Sequence, residues 1–79
     1  MNETEERISA LLTDRFKVKQ AAIGPEATLG SLSFDSLVLI EFGLVLDKEF
    51  DVLMADGELT EEMTVAALAE LLRTKGVAG

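Results

Sequence analysis

The sequence predicts an all-α fold: a small four-helix bundle made of three main helices and one short helix, with a long first loop. Three observations carry that prediction. Apolar residues recur at helical spacing in three separate stretches, a capping residue precedes each of them, and a single proline, Pro25, interrupts the 79 residues. With 48% apolar residues and no internal repeat or low-complexity tract, the chain reads as one domain over residues 1–79 with a single core.

The first helix is expected from about Glu3 to Phe16, where Ile8, Leu11, Leu12 and Phe16 fall on one face. Asn2 and Glu5 have the spacing of a capping box at its start. From Lys17 to Asp35 the periodicity fades and Gly24-Pro25, Gly30, Ser31 and Ser33 appear, the composition of a loop anchored by Ile23, Leu29, Leu32 and Phe34. At about nineteen residues it exceeds the usual connection, and loops of that length tend to be functional or to cover a core.

A second helix is expected from about Ser36 to Phe50 with Asp35 as N-cap. Val52 to Gly57 looks irregular, and Glu58 to Met63 has room for one or two helical turns. Thr64 then caps a last helix over about Val65 to Arg73, striped by Val65, Leu68, Ala69 and Leu72. Arg73 and Lys75 suit its C-terminal dipole and Gly76 its stop. The core expected from these patterns comprises Ile8, Leu11, Leu12, Phe16, Leu32, Phe34, Leu37, Ile40, Leu44, Leu46, Phe50, Val65, Leu68 and Leu72.

Charge narrows the function. Seven Lys and Arg against fifteen Asp and Glu give −8, and residues 35–62, with nine acids and only Lys48 as a base, hold the whole excess. Phosphate backbones and anionic bilayers are repelled by such a surface, so neither nucleic acid nor membrane is expected as a partner. A localised negative field instead favours encounter with basic protein surfaces. The acidic first residues carry no apolar stretch of a signal peptide, and the run from Leu37 to Leu46, broken by Glu41, is far short of a membrane span; a monomeric cytoplasmic protein is expected.

Neither cysteine nor histidine occurs. Their absence removes disulfides, thiolate metal sites, thiol nucleophiles and the commonest general base. Asp47, Glu49, Asp51 and Glu58 match positions of a calcium-loop template, but its obligatory glycine is replaced by Val52, so no metal site is expected. With no phosphate-binding glycine loop and no Ser-His-Asp set either, the chain is not expected to be an enzyme.

Ser36 stands just after the expected N-cap of the most apolar helix. A serine there is by itself only a favourable first-turn residue. In its setting, however, Asp35-Ser36-Leu37, followed by Ile40, Glu41, Leu44 and Glu49-Phe50-Asp51, resembles the acyl carrier protein family, whose hallmark is Asp-Ser-Leu at the start of the second helix of a four-helix bundle. Leu29-Gly30 ahead of the motif, and Asp56 and Met63-Thr64-Val65 after it, extend the resemblance over essentially the whole chain.

The resemblance implies a non-catalytic carrier. A phosphopantetheinyl transferase would move 4′-phosphopantetheine from coenzyme A onto Ser36, flanked by Asp35 and Leu37, and the thiol of that arm would hold an acyl or polyketide intermediate for separate loading, condensing or tailoring enzymes. Phe34-Asp35 before the serine looks more like an acyl than a peptidyl or aminoacyl carrier, which usually shows Gly-Gly there. A discrete peptidyl or aminoacyl carrier, a helical interaction protein with an unmodified Ser36 and a calcium-responsive module are the alternatives. Partner contacts are expected at Val38, Glu41, Phe42, Val45, Asp47, Lys48 and Asp56, with Val38 and Phe42 making the docking arc more apolar than usual for the family and Lys48 reversing a charge. Phe42 and Val45 could alternatively be covered by the loop or by the short third helix. Together these departures point to a specialised natural-product pathway over housekeeping fatty-acid synthesis. Gly43, costly in mid-helix by about 1 kcal/mol relative to Ala, could leave space for close packing or for part of an acyl chain, and Leu37 and Leu44 could line such a cavity.

Overall fold

A computed structural model describes residues 2–55 and 57–77. Three α-helices are present: α1 over Glu3–Phe16, α2 over Ser36–Phe50 and α3 over Val65–Thr74. Each begins where a side chain can satisfy the free N–H groups of a first turn. Asn2 and Glu5 form the reciprocal capping box on α1, Asp35 accepts from the Val38 N–H at 3.0 Å on α2, and Thr64 accepts from the Ala67 N–H at 3.0 Å on α3.

The long first loop contains two short 3-10 turns, Gln20–Ala22 and Gly30–Leu32. It is stitched to the segment ahead of α3 by main-chain hydrogen bonds: Leu29 N–H to Met63 O (2.9 Å), Gly30 N–H to Glu61 O (2.9 Å), Val65 N–H to Ala27 O (3.0 Å) and Ala66 N–H to Pro25 O (2.9 Å). Thr28 and Thr64 form an isolated antiparallel bridge within this seam. Gly30 is required there by close approach, since a Cβ at that position would lie 3.1 Å from both the Cβ and the carbonyl oxygen of Glu61. The short helix expected over residues 58–63 takes the form of turns, closed by Glu58 N–H to Ala55 O (3.1 Å) and Met63 N–H to Thr60 O (3.2 Å).

α1 packs against α3. The radius of gyration of 11.1 Å matches the ~12 Å of a compact chain this long, so the loop lies folded on the helices. The core joins Ile8 and Leu12 of α1, Leu29, Leu32 and Phe34 of the loop, Leu39, Phe42, Leu46 and Phe50 of α2, and Val65, Leu68, Ala69 and Leu72 of α3. Phe16, partly buried against this core, pairs with the buried Phe34 and Phe42, and the three ring centroids lie 5.2–5.4 Å apart. Tilted and edge-to-face pairs of this kind add about 0.5–1.5 kcal/mol each beyond burial.

The outward face of α2 differs from the expected one. Phe42, assigned above to the partner-docking arc, is fully buried, while Leu37, Ile40 and Leu44, assigned to the core, are 62–65% exposed. The aromatic triad accounts for this. Turning Phe42 inward to meet Phe16 and Phe34 places Leu39, Leu46 and Phe50 on the same buried side, and the roughly 100° step per residue then carries Leu37, Ile40 and Leu44 to the opposite arc. Leu11 and Phe16, also expected in the core, are partly buried against it.

Candidate functional site: a serine at the rim of an apolar groove

The approach to Ser36 is fixed residue by residue. Leu29 ahead of the Gly30–Leu32 turn and Leu32 at its end are buried, Ser33 takes the left-handed conformation at φ 68°, and Phe34 re-enters the core with its N–H bonded to Leu29 O at 3.2 Å. Phe34 in the aromatic triad and Asp35 as the cap therefore pin the two residues ahead of Ser36, which opens α2 as its first residue and is exposed. The N–H groups of that turn and the positive end of the α2 dipole favour an anion attached there.

The four serines are not equivalent. Ser9 is buried, Ser31 donates its hydroxyl to Thr28 O at 2.7 Å, and Ser33 lies in a left-handed turn. Ser36 alone among them borders a groove of about 400 Å³ running between α2 and the segment that follows it. Its walls are Leu39, Ile40, Gly43, Leu44 and Asp47 on α2, and Met54, Ala55, Gly57 and Leu59 opposite. The volume falls in the range of small-molecule pockets and the lining is mostly apolar. Gly43 forms part of the floor, where an added Cβ would meet only Leu59 Cδ1, at 3.6 Å.

The other expected site residues are dispersed around this groove. Asp47 lines it and accepts the Met54 N–H at 2.8 Å, which holds the facing segment. Leu44 lines it as well, whereas Leu37, on the exposed arc beside Ser36, does not. Glu41 and Lys48 are exposed on that same arc, and Val38 and Val45 are half-buried at its edge. Val45 and Lys48 also border a second cleft of about 350 Å³ with Arg15, Leu44 and Glu49. There Arg15 and Glu49 pair at 3.1 Å. Asp56 lies outside the described residues. Ile40, Met54 and Leu59 were not among the expected site residues; the one signal that could have found them is the apolar character of positions near Gly43.

The helical scaffold presents an exposed serine at a helix start beside an apolar groove. The model of the phosphopantetheine attachment site family matches residues 6–72. Acyl carrier proteins of Buchnera aphidicola subsp. Acyrthosiphon pisum, strains 5A, Tuc7 and APS, are each 30% identical over 78 residues, covering 98% of both chains. The chain therefore belongs to the acyl carrier protein family, as a non-catalytic carrier whose cofactor is covalent 4′-phosphopantetheine. The residues present fit that group: an exposed first-turn hydroxyl to esterify, an anion-favouring helix start for the phosphate, and an apolar groove alongside.

No helix among the described residues is long and apolar enough to cross a membrane.

Proposed function

We propose that Ser36 is the residue that bears the phosphopantetheine arm and that the groove beside it takes up the apolar part of the cargo. The observation that carries this reading is the position of Ser36, exposed in the first turn of α2 at the groove's rim, while the other serines are buried, hydrogen-bonded or held in a turn. The bound group supplies the thiol on which an acyl chain is held as a thioester. The chain's own part is to present the Ser36 hydroxyl to a transferase, to cap the helix with Asp35, and to shield apolar cargo along Leu39, Ile40, Gly43, Leu44 and Leu59.

Partner enzymes dock on the arc of Leu37, Ile40, Glu41, Leu44 and Lys48. Contiguous exposed apolar side chains are unusual on a soluble helix and mark interaction surfaces, and here they flank the attachment point. Val38 and Asp47 contribute from the edges of that arc, where each is half-buried. We assign the carrier to a cytoplasmic, polyketide-type natural-product pathway rather than to fatty-acid synthesis. Lys48 in an otherwise acidic stretch, with Val38 where an acid would suit a basic partner, supports a dedicated partner set.

The test is an intact mass spectrum after incubation with coenzyme A, magnesium and a phosphopantetheinyl transferase, followed by fragment mapping. One adduct on Ser36, absent from a folded Ser36→Ala variant, is the expected result. Loading of Ser36→Ala at the wild-type level would overturn the assignment. The pathway is tested by the thioester recovered on the chain from producing cells: a β-keto or otherwise ketide chain is expected, and only saturated fatty acyl chains would contradict it.

A further inference from the structure

The groove has two walls of different kinds. One is α2, held by its own ladder of hydrogen bonds, and the other is an irregular segment whose Met54 and Leu59 are only half-buried and whose Leu53 is 80% exposed. Val52, Met54 and Leu59 of this wall are packed against the core but only partly buried, and an irregular wall of this kind gains position from polar ties as well.

Two side-chain ties stand out among the described residues. Toward α2, Asp47 accepts the Met54 N–H at 2.8 Å. Toward α3, Lys75 donates from Nζ to Leu53 O at 3.0 Å and stands 2.9 Å from Glu58 Oε1, and that same oxygen accepts the Ala55 N–H at 2.7 Å. One ammonium and one carboxylate thus join Leu53, Ala55 and Glu58 to the end of α3. Both side chains are largely shielded, at 22% and 28% exposure, unlike the pairs Arg15–Glu49 and Arg73–Glu70. Shielding is what lets an ion pair hold position, since fully exposed pairs are worth little.

We propose that Lys75 and Glu58 are positioning residues for the groove: they pin its irregular wall and so set how long an acyl chain it retains. This rests on the carrier reading above. Neither residue lines the groove; they act through Ala55 and through Leu59, the side chain that closes over Gly43. Loss of the pair lets the wall move away from Gly43, and longer chains lose the most shelter, because they bury the most apolar surface in the groove.

The test uses the full chain in two forms. In the unloaded form, Lys75→Met should speed amide exchange at Ala55 and Glu58 about fivefold, leave Leu12 and Leu46 at the wild-type rate, and be rescued by Lys75→Arg. In chains loaded with acetyl or decanoyl groups, hydroxylamine should cleave the decanoyl thioester more slowly than the acetyl one in the wild type. That difference should shrink at least twofold in Lys75→Met, and likewise in Glu58→Gln, which keeps the bond to Ala55 and serves should Lys75→Met fail to fold. Unchanged exchange at Ala55 and Glu58, or an unchanged decanoyl-to-acetyl ratio, would overturn the proposal; so would equal cleavage of the two thioesters in the wild type. A wild-type chain that takes no phosphopantetheine on Ser36 refutes the assignment of the arm to that serine, a result the mass spectrum separates from failure of the pair.

Discussion

The capping role of Asp35 and a proposed role in recognition by the transferase can be separated by substitution. The Asp35 carboxylate caps α2 through Val38, so Asp35→Ala should cost about 1 kcal/mol, read from denaturant unfolding. Asp35→Ser should restore most of that stability, because a hydroxyl also caps a helix. If the transferase additionally reads the negative charge, Asp35→Ser will be stable yet slow to load; equal loading rates for wild type and Asp35→Ser would confine Asp35 to its capping role. Glu58 makes a pH-dependent contribution. The hydrogen bond from Lys75, then that from the Ala55 N–H and last the Lys75 charge hold its carboxyl below the usual 4.5. A carboxyl lowered in the folded chain stabilises it above the unfolded pKa and loses that contribution as pH falls through the folded value. Wild type and Glu58→Gln should therefore differ in stability near neutrality and converge below the ordinary glutamate range. A difference that persists at low pH would contradict this account.

On α2 the contrast between its two sides is the sharpest check of the fold. Phe42→Ala removes a fully buried ring from the aromatic triad and should destabilise by about 3–5 kcal/mol, whereas Leu44→Ala on the exposed arc should change stability by under 1 kcal/mol and impair transfer to a partner enzyme. Gly43→Ala should raise helix stability by roughly 0.5–1 kcal/mol, since the new methyl would meet Leu59 Cδ1 at an ordinary contact distance, while narrowing the floor of the groove. Thermal melts and the decanoyl-to-acetyl cleavage ratio measure both effects. The helix limits, the three caps and the loop anchors Leu29, Leu32 and Phe34 were legible because each follows from local chemistry: a side-chain oxygen at the right spacing, or a lone apolar residue among turn formers. The face of α2 was not. Apolar residues surround that helix almost completely, and its charged positions Glu41 and Lys48 mark the solvent arc without deciding which leucines flank it. That choice is made by Phe16 and Phe34, which arrive from other parts of the chain. The groove was hidden for the same reason, as it forms only where Met54 and Leu59 come to face Gly43.

For the molecule entire, the dominant electrostatic fact is crowding of like charge. Nine acids within residues 35–62 repel one another across a domain measuring 27 × 26 × 21 Å, and the ion pairs Arg15–Glu49 and Lys75–Glu58 offset only part of this. Raising salt from about 0.01 M to 0.15 M shortens the screening length from about 30 Å to 8 Å. The melting temperature should rise by several degrees over that interval; a fall would mean that the specific ion pairs outweigh the general repulsion. The seam between the first loop and the segment ahead of α3 bears on how such a chain comes together. The carbonyls of Pro25 and Ala27 and the N–H groups of Leu29 and Gly30 find their main-chain partners among residues 61–66, which leave the ribosome after all of α2. The serine-bearing helix is thus synthesised before the frame that aims it is complete, and refolding should be slower than for a bundle joined by tight local turns, since the ends of a long loop must meet before the last helix can dock.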